Sequence, residues 1–400
     1  MFHPDTVISA RLFSDLAEDL AAAGHQVTVF TSNRMIRSDK ELPAQETWHG
    51  VEICRFPRPD FKQGSNVGRL LNSFILQHRW LKGFKLRKHE FDAVILGTDP
   101  QFGYLMVPKL RRLAPTVKLI HWCFDLYPEA VMATGSRLMG LMGTLFKPLA
   151  KRSYSKLDGM VDIGDCMRRR LAGYSHHAVC YTATPWALAE SETVASVDTA
   201  MRHKLFGDAQ LGLLYSGTVG HAHDITPFLE LARECRRRQL SIGFCFAGYG
   251  NRYQEQTAQI TSEDTNITLA RFASEDELTA RLASADFHMI SLRDGWEGIV
   301  VPSKFFGALA MGRPVLFSGP VASEINGWIQ QYGLGYRLEA DTATMLEHYL
   351  HQPEALATMK QQAFETYQKH FSRKAVGHIW KCILQLEELQ NQDGRAAKSG

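Results

Sequence analysis

The stretch LLYSGTVGHAHDITPFLELA, residues 213–232, combines an apolar strand, a glycine turn and the start of a helix. Its first residues have the character of a buried strand, and Thr226 with Pro227 favours a helix start, because proline suits the first helical turn. Between them, Gly217 and Gly220 allow a ligand to approach the backbone closely. A strand that leads through a glycine turn into a helix is typical of a parallel α/β sheet.

Similar strands recur on both sides of this stretch, separated by amphipathic helices. The strand candidates are QVTVFT, VEICRF, FDAVIL, VKLIHW and GMVDIG before it, and SIGFCFAG, NITLA, DFHMISL and PVLF after it. This alternation predicts an α/β protein with doubly wound, Rossmann-like sheets.

The length of 400 residues favours two domains. Residues 184–208 are weak in periodic apolar residues, so we predict an N-terminal domain over 1–187 and a C-terminal domain over 188–370. A final helix over 371–390 is expected to pack back on the first domain. The first recognisable element is a helix, and Pro4 and Asp5 look like a loop that leaves a strand. The first domain is therefore expected to lack its usual opening strand; the alternative is a divergent domain that manages without one.

The composition excludes several classes of protein. A formal net charge of +3 gives no reason to expect a nucleic-acid partner. The seven cysteines are scattered, which favours buried free thiols over zinc sites or disulfides. No apolar run approaches the length of a membrane span, and the N-terminus lacks the features of a signal peptide. We therefore expect a cytoplasmic protein, with peripheral membrane contact left open.

The segment VVPSKFFGALAMGRPVLFSGP, residues 300–320, predicts a second ligand-binding turn. Ser303 is expected to cap a helix that begins at Lys304, runs to Met311 and stops at Gly312. Free N–H groups at a helix start, together with the Lys304 charge, suit a diphosphate.

A third glycine turn, at Gly248 and Gly250, also follows a strand. Because all three turns leave the carboxyl ends of strands, we interpret the C-terminal half as a nucleotide-binding half. His223 could reach a phosphate there, although surface histidines without a function are equally common.

Several segments, in this order along the chain, resemble glycosyltransferase family 4, especially the branch that builds bacterial surface polysaccharides. They are FHPD with the helix that follows, DLYPEA at 125–130, TPWA at 184–187, FAGYG at 246–250, ASADFHMISL at 283–292 and PSKFFGALAMGRPV at 302–315.

This resemblance implies the GT-B fold, with two Rossmann-like domains whose parallel sheets face an interdomain cleft. It implies sugar transfer from a nucleotide-sugar donor to a glycan or lipid-linked acceptor, with retention of the anomeric configuration. No cofactor or metal is expected. The implied donor-binding residues are Gly217, Thr218, Gly220, His223, Gly248, Gly250, Arg271, Phe272, Arg293, Glu297, Ser303, Lys304 and Gly307. The implied acceptor-side residues are Pro4, Asp5, Asp125 and Glu129, and the catalytic candidates are His121 and Asp125.

The chain departs from the family pattern at its donor signature. Gly307 stands where the second glutamate, expected to hold the ribose, is usual, and Glu297 lies two residues before the first position. Thr218 and His223 replace the usual arginine and lysine. Donor phosphates must then rely on Lys304, backbone N–H groups and Arg293. A nucleotide-sugar epimerase and a non-catalytic partner subunit remain as alternatives.

Residues 69–89 interleave basic and aromatic side chains, as helices that lie on anionic membranes do. A second such segment begins at Arg137. The alternative is that both are ordinary surface helices.

Overall fold

A computed structural model of the chain describes residues 1–36, 40–61, 66–135, 137–250, 252–271 and 273–384. The chain divides into two compact units. The first consists of Met1–Thr184 together with the residues from Gly377 onward, and the second of Pro185–Val376. The predicted boundary lies slightly later, after residue 187.

The first unit alternates strands and helices. Its strands are β1 (Thr28–Ser32), β2 (Gln45–Trp48), β3 (Val51–Phe56), β4 (Ala93–Leu96), β5 (Lys118–Trp122), β6 (Gly159–Asp162) and β7 (Val179–Thr182). Its helices are α1 (Ile8–Ala22), α2 (Asn66–Arg87), α3 (Val107–Leu113), α4 (Glu129–Met132), α5 (Arg137–Tyr154) and α6 (Asp165–Leu171). A 3-10 turn, Gly103–Met106, precedes α3.

The strands of the first unit form two sheets. One has the order β1-β3-β2, in which β1 and β3 are parallel and β2 is antiparallel to β3. The other is a parallel sheet with the order β4-β5-β6-β7. The helical spacing of apolar residues explains the helix in front of β1, because Leu12, Leu16 and Leu20 are buried along one face of α1.

The second unit is built in the same way. Its strands are β8 (Leu211–Thr218), β9 (Ile242–Tyr249), β10 (Ile267–Ala270), β11 (Phe287–Ser291), β12 (Val315–Ser318) and β13 (Gly335–Arg337). Its helices are α7 (Thr199–Phe206), α8 (Thr226–Arg237), α9 (Tyr253–Thr257), α10 (Glu275–Ala283), α11 (Lys304–Ala310), α12 (Glu324–Tyr332), α13 (Thr342–His351) and α14 (Pro353–Thr366). A π-helical turn, Tyr367–Phe371, leads into α15 (Arg373–Leu384).

All six strands of the second unit are parallel, in the order β10-β9-β8-β11-β12-β13. Numbered within the unit this is 3-2-1-4-5-6, the order of a doubly wound dinucleotide-binding sheet. Its central strands are buried on both faces, which explains why LGLLYSG and SIGFCFAG are almost continuously apolar. The predicted α/β class with Rossmann-like units is confirmed.

The segment in which the domain boundary was predicted, residues 184–208, contains the helix α7. Asp198 caps α7 by accepting a hydrogen bond from the Met201 N–H, and Leu205 and Phe206 at its end are buried. A Cβ at Gly212 would lie 2.6 Å from the Phe206 ring, so the helix packs closely on β8. Because only its last two residues are buried, the helix leaves almost no periodic apolar signal.

The final helix begins in the second unit and ends in the first. Trp380 on α15 is fully buried, and its ring lies 4.9 Å from that of Trp122 on β5. The part of the expected helix after Leu384 lies outside the described residues.

Candidate functional site

The carboxyl ends of β8 and β11 meet where the strand order of the second sheet reverses. In doubly wound sheets the helices on either side of such a point leave a crevice, in which ligands bind. The residues that follow β8 and β11 are therefore the candidates for ligand binding. They include Thr218 and His223 after the first strand and Arg293 after the second.

Lys304, the first residue of α11, reaches this crevice. Its Nζ donates to the carbonyl oxygen of Thr218 at 2.9 Å and lies 3.4 Å from Nε2 of His223. A Cβ at Gly217 would stand 2.7 Å from Cε of Lys304. The Lys304 side chain therefore passes through the space that a side chain at position 217 would occupy. This contact joins the turn after β8 to the start of α11, two segments that are far apart in sequence.

His223 is held in one tautomer. Its Nδ1 lies 2.9 Å from the carbonyl oxygen of Ser291, which can only accept, so Nδ1 carries the proton. Nε2 then presents a lone pair to Lys304. Burial, with the Lys304 charge as a second cause, lowers the pKa of His223 to about 3. The imidazole is therefore neutral at pH 7 and accepts a hydrogen bond from the ammonium group.

Lys304 is a cation without an anionic partner. Protein surrounds it on most sides, yet it keeps some solvent exposure, as expected at the bottom of a crevice. Burial lowers its pKa to about 7. In the described part of the chain no carboxylate lies within 4.0 Å of Nζ, and the ring of Tyr215 lies 5.1 Å away. Such a group gains most from an anionic ligand that brings the missing charge.

Arg293 lies at the edge of the crevice. Its backbone N–H donates to the Ala222 carbonyl at 2.8 Å, and its guanidinium reaches the carbonyl of His221 at 3.4 Å. The side chain is exposed, so its remaining donors face solvent. Glu297 is half-buried in the loop between Arg293 and α11.

Ser303 does not cap α11, contrary to the prediction. Its backbone is helical, with φ −63° and ψ −18°, and within the described chain its side chain makes no capping hydrogen bond. A cap needs an extended conformation to turn its oxygen back onto the helix N–H groups. Ser303 instead offers its carbonyl to the N–H of Phe306. The stop at Gly312, which has φ +67°, is confirmed, with the helix ending at Ala310 rather than Met311.

Gly307 lies one turn after Lys304 and therefore on the same face of α11. A Cβ built there would meet only Cδ1 of Leu282, at an ordinary contact distance of 3.6 Å. The position has room for a side chain. Lack of space therefore does not explain why position 307 carries a glycine and not the glutamate that is usual in the family.

Gly248 and Gly250 serve the packing of two turns against each other. A Cβ at Gly248 would lie 2.6 Å from the Gly217 carbonyl oxygen, and one at Gly250 would lie 2.6 Å from that of Val219. Gly250 also has φ +123°. At Gly220, by contrast, no described atom lies within 4 Å of such a Cβ. The turn after β9 therefore shapes the site by supporting the turn after β8.

Arg271 is not brought to this crevice by the sheet. It follows β10, the edge strand two places from β8, where its carbonyl accepts from the Arg281 guanidinium. Phe272 lies outside the described residues.

In the first unit, His121 is a core residue. It is 2% exposed on β5, and its ring lies among those of Tyr104 and Tyr154. Its Nδ1 donates to the Leu96 carbonyl at 3.2 Å, and burial lowers its pKa to about 4. A neutral, enclosed imidazole has no face to offer a substrate. We therefore assign it no catalytic role.

Asp125 follows β5, and Asp99 follows the neighbouring β4. The backbone N–H of Asp125 donates to Oγ1 of Thr98 at 3.3 Å. Burial, with the nearby Asp99 carboxylate as a second cause, raises the pKa of Asp125 to about 7. Asp125 does not cap a helix, because α4 starts at Glu129 after Pro128. The carboxyl groups of Asp99 and Asp125, which follow neighbouring strands, form a polar site. Of these two residues, only Asp125 was predicted from the sequence.

The other acceptor-side candidates have structural contacts. Glu129 accepts a hydrogen bond from the Tyr174 hydroxyl. Asp5 is buried, and its Oδ2 accepts from the N–H of Ile36 at 3.0 Å. Pro4 is partly exposed beside it. Asp5 therefore ties the start of the chain to the loop after β1.

Sequence reasoning missed Tyr215 and Asp99. Tyr215 lies beneath Lys304 within an apolar strand, where an aromatic residue carries no sign of function. Asp99 could have been found, because an acid three residues after the FDAVIL strand falls on the same sheet edge as Asp125.

Two features are absent from the described residues. No group of three or more histidine, cysteine, aspartate and glutamate side chains is placed to hold a metal ion. None of the described helices combines the length and the apolar character needed to cross a bilayer.

The comparisons with known proteins agree with this geometry. Residues 9–185 match the model of the glycosyl transferase 4-like domain. A putative colanic acid biosynthesis glycosyl transferase of Escherichia coli K12, WcaI, is 22% identical over 361 residues, covering 86% of this chain and 88% of the relative. The chain is thus similar to glycosyl transferase 4-like proteins over its first unit and to a putative colanic acid biosynthesis glycosyl transferase over most of its length.

Solved structures show the fold. WaaG, a glycosyltransferase involved in lipopolysaccharide biosynthesis, superimposes with a TM-score of 0.65 at 14% identity, covering 96% of this chain and 97% of its own. HepE from Anabaena, solved in complex with UDP-glucose, superimposes with a TM-score of 0.60 at 11% identity, covering 84% and 86%. The predicted GT-B fold is confirmed.

Proposed function

We propose that this chain, a family 4-like glycosyltransferase with the GT-B fold, binds the diphosphate of a nucleotide sugar at Lys304 and transfers the sugar to a glycan precursor. The observation that carries the proposal is the unpaired Lys304 cation at the β8/β11 crevice. A pyrophosphate is the anion that such sites bind in doubly wound sheets. One relative is a putative colanic acid biosynthesis glycosyl transferase, and one structural neighbour was solved with UDP-glucose, which supports this donor class.

The donor would be held mainly by backbone groups and cations. The Thr218 carbonyl and His223 Nε2 fix the Lys304 ammonium in the crevice. Arg293 offers further N–H donors at its rim. Preorganised positive charge of this kind stabilises a departing diphosphate without waiting for side chains to reorganise.

The reaction we propose retains the anomeric configuration. The bond between the anomeric carbon and the donor phosphate breaks, an acceptor oxygen bonds to the same face of that carbon, and a leaving-phosphate oxygen takes the acceptor proton. This path requires no strong protein base, only positioning and charge stabilisation. We also propose that no divalent cation is needed, since Lys304 supplies charge at the diphosphate. Chelation with EDTA is expected to leave turnover unchanged.

The test of the donor site is a thermal-shift panel of UDP-, GDP- and dTDP-sugars. A ligand at 100 times its Kd adds about 2.7 kcal/mol of stability, which raises Tm by several degrees in a protein of this size. Lys304→Ala is expected to abolish the shift while the protein stays folded. Lys204→Ala, at an exposed lysine on α7, is the matched control. A full shift in Lys304→Ala would contradict the proposal.

On the acceptor side, we propose that Asp125 contacts the acceptor. Asp125 is half-buried near Asp99, and two carboxyl groups suit the hydroxyl groups of a sugar. Asp125→Asn is expected to raise the KM for acceptor while leaving the donor-induced thermal shift intact. A weakened donor shift with unchanged acceptor KM would contradict this role.

We further propose that the acceptor is lipid-linked and that the enzyme meets it at a membrane surface through α5. Leu141, Leu145 and Leu149 recur every fourth residue on this helix and are 62%, 66% and 46% exposed. The neighbouring Lys147 and Lys151 are exposed as well. An apolar stripe flanked by lysines suits an anionic interface.

Helix α2, which contains most of the predicted membrane-contact segment 69–89, is less suited to this contact. Trp80 on α2 donates to the Thr31 carbonyl of β1, and Phe84 is buried, so much of α2 packs on its own sheet. Leu71 and Phe74 near its start remain exposed.

Vesicle co-sedimentation tests the membrane contact. Binding to phosphatidylcholine vesicles containing phosphatidylglycerol should be salt-sensitive, and replacing Leu141, Leu145 and Leu149 together with glutamine should abolish it. Val321→Gln, at an equally exposed residue of the second unit, is the control. Unchanged binding by the triple variant would contradict the assignment to α5.

A further inference from the structure

An arginine lies in the turn after β9, beside the proposed donor site. Arg252 follows the Gly250 turn and directly precedes α9. Its backbone N–H donates to the carbonyl of Val219 at 3.4 Å. A Cβ built at Gly250 would lie 3.2 Å from Cγ2 of Thr218. Arg252 is therefore attached to the turn after β8, in which the Thr218 carbonyl accepts from Lys304.

The guanidinium of Arg252 lacks a close anionic partner in the described part of the chain. Its ion pair there joins Nε to Oε2 of Glu255, 3.8 Å away. The Glu255 side chain is 69% exposed, and ion pairs with such acids contribute little stability. The Arg252 side chain is 22% exposed, but its Nη1 is enclosed by protein and has no hydrogen-bond partner among the described residues. Folding has thus removed water from part of this cation without supplying an acceptor.

A second donor without a partner lies one turn further along the chain, on α9. Gln256 is 2% exposed, and its Oε1 accepts from the N–H of Ile225 at 2.9 Å. Its Nε2 is buried and has no partner within the described residues. Arg252 and Gln256 both contact the loop between β8 and α8. Because native proteins rarely leave buried donors unsatisfied, two such donors at one loop indicate that an acceptor is missing there.

The loop between β8 and α8 has room for a ligand and little positive charge of its own. A Cβ built at Gly220 would meet no described atom within 4 Å. Thr218 is exposed, and its hydroxyl side chain carries no charge. His223 is neutral, because burial lowers its pKa to about 3. A cation that serves this loop from the β9 side therefore has to come from the neighbouring turn, which carries Arg252.

A phosphate group suits both the weakly paired cation and the unsatisfied donors. It brings negative charge and several acceptor oxygens, and a guanidinium binds it through two parallel N–H donors. Lys304 and Arg252 contact successive carbonyls of the turn after β8, those of Thr218 and Val219. A nucleoside diphosphate has two phosphate groups and can offer one to each of these cations.

We propose that Arg252 is a donor-binding residue, whose guanidinium holds a phosphate of the nucleoside diphosphate alongside Lys304. This inference rests on the proposed function and adds to it a cation on the β9 side of β8, opposite Arg293 on the β11 side. Gln256 is a positioning residue, because it fixes the Ile225 end of the loop without carrying charge. The turn after β9 then contributes a side chain to the site as well as supporting the turn after β8.

Isothermal titration with UDP, GDP and dTDP tests the role of Arg252, and the diphosphate that binds the wild-type protein most tightly is used with every variant. Arg252→Gln removes the charge and keeps a polar side chain. Affinity is expected to fall by about tenfold or more, as for the loss of a charge-assisted hydrogen bond. Arg237→Gln, at an exposed arginine of α8, is the matched control and should leave affinity unchanged.

Two further measurements separate ligand binding from a structural role of Arg252. The Tm of the ligand-free Arg252→Gln protein should match that of the wild type, because the lost guanidinium has an unsatisfied donor and an ion pair with an exposed acid. Adding Thr218→Arg should restore most of the lost affinity, since position 218 is exposed beside Gly250 and an arginine there returns the charge to the same loop.

Unchanged affinity in Arg252→Gln would overturn the inference. A loss of affinity that comes with a lower ligand-free Tm, or that Thr218→Arg does not restore, would overturn it as well. The proposed function is judged separately, by the wild-type protein and Lys304→Ala. If Lys304→Ala weakens binding and Arg252→Gln does not, only the role of Arg252 is lost. If the wild-type protein binds none of the three diphosphates, the proposed function fails and the inference fails with it.

Discussion

The Nζ atom of Lys304 lies 3.4 Å from Nε2 of His223, two residues that are 81 positions apart in the chain. The histidine is locked as an acceptor by the Ser291 carbonyl, so it orients the ammonium without adding charge. Lys304 therefore enters the crevice as a single, positioned cation.

Donor affinity should fall as pH rises above about 7. The pKa of Lys304 is lowered to about 7, so in the ligand-free protein the ammonium is present below that pH and is lost above it. A bound diphosphate favours the ammonium, and affinity should then fall by up to tenfold per pH unit. Isothermal titration at pH 6 to 9 measures this. Lys304→Arg, which stays charged, should remove the dependence; a dependence that persists would assign it to another group.

Gly307→Glu should tighten nucleotide binding by about tenfold. The position has room for a side chain and shares a face with Lys304, so a carboxylate there could accept hydrogen bonds from the ribose. Titration with UDP measures the change. Gly327→Glu, at a helical glycine of α12 with no described atom within 4 Å, should leave affinity unchanged. Equal effects of both would indicate a non-specific charge effect.

Gly250→Ala should destabilise the protein by roughly 1–3 kcal/mol, because the residue has φ +123° and its Cβ would meet the Val219 carbonyl. Urea unfolding measures the free energy. Gly220→Ala is the control and should change stability by less than about 0.5 kcal/mol, since the space around Gly220 is open. A neutral Gly250→Ala would show that the two turns do not constrain each other.

Arg313→Lys should cost roughly 2–4 kcal/mol of unfolding free energy. Arg313 is 1% exposed, and its guanidinium donates to the carbonyls of Ala283, Met311 and Ala195, which a lysine cannot all reach. Chemical denaturation followed by circular dichroism measures the loss. Arg237→Lys, at an exposed arginine of α8, should be close to neutral, and a similar cost there would point to a general effect of the substitution.

Much of the site was predictable because it rests on local patterns. Lys304 follows a proline and a serine at a strand-to-helix turn, and Gly217 ends an apolar strand; both features are visible within a few residues. The role of Ser303 was not predictable, since capping depends on a backbone conformation that two adjacent turns decide. The burial of His121 was not predictable either, because the sequence around a histidine in a strand is the same whether its side chain faces a substrate or the core.

The amino-acid sequence alone determined the alternation of strands and helices, the two α/β units and the placement of glycine turns at strand ends, since each depends on neighbours a few positions apart. Only the tertiary structure decided which strand ends meet. The order 3-2-1-4-5-6 brings Thr218, Ser291 and Lys304 into one crevice and leaves Arg271 two strands away. Strand order is set by packing between distant segments, which no local pattern of residues records.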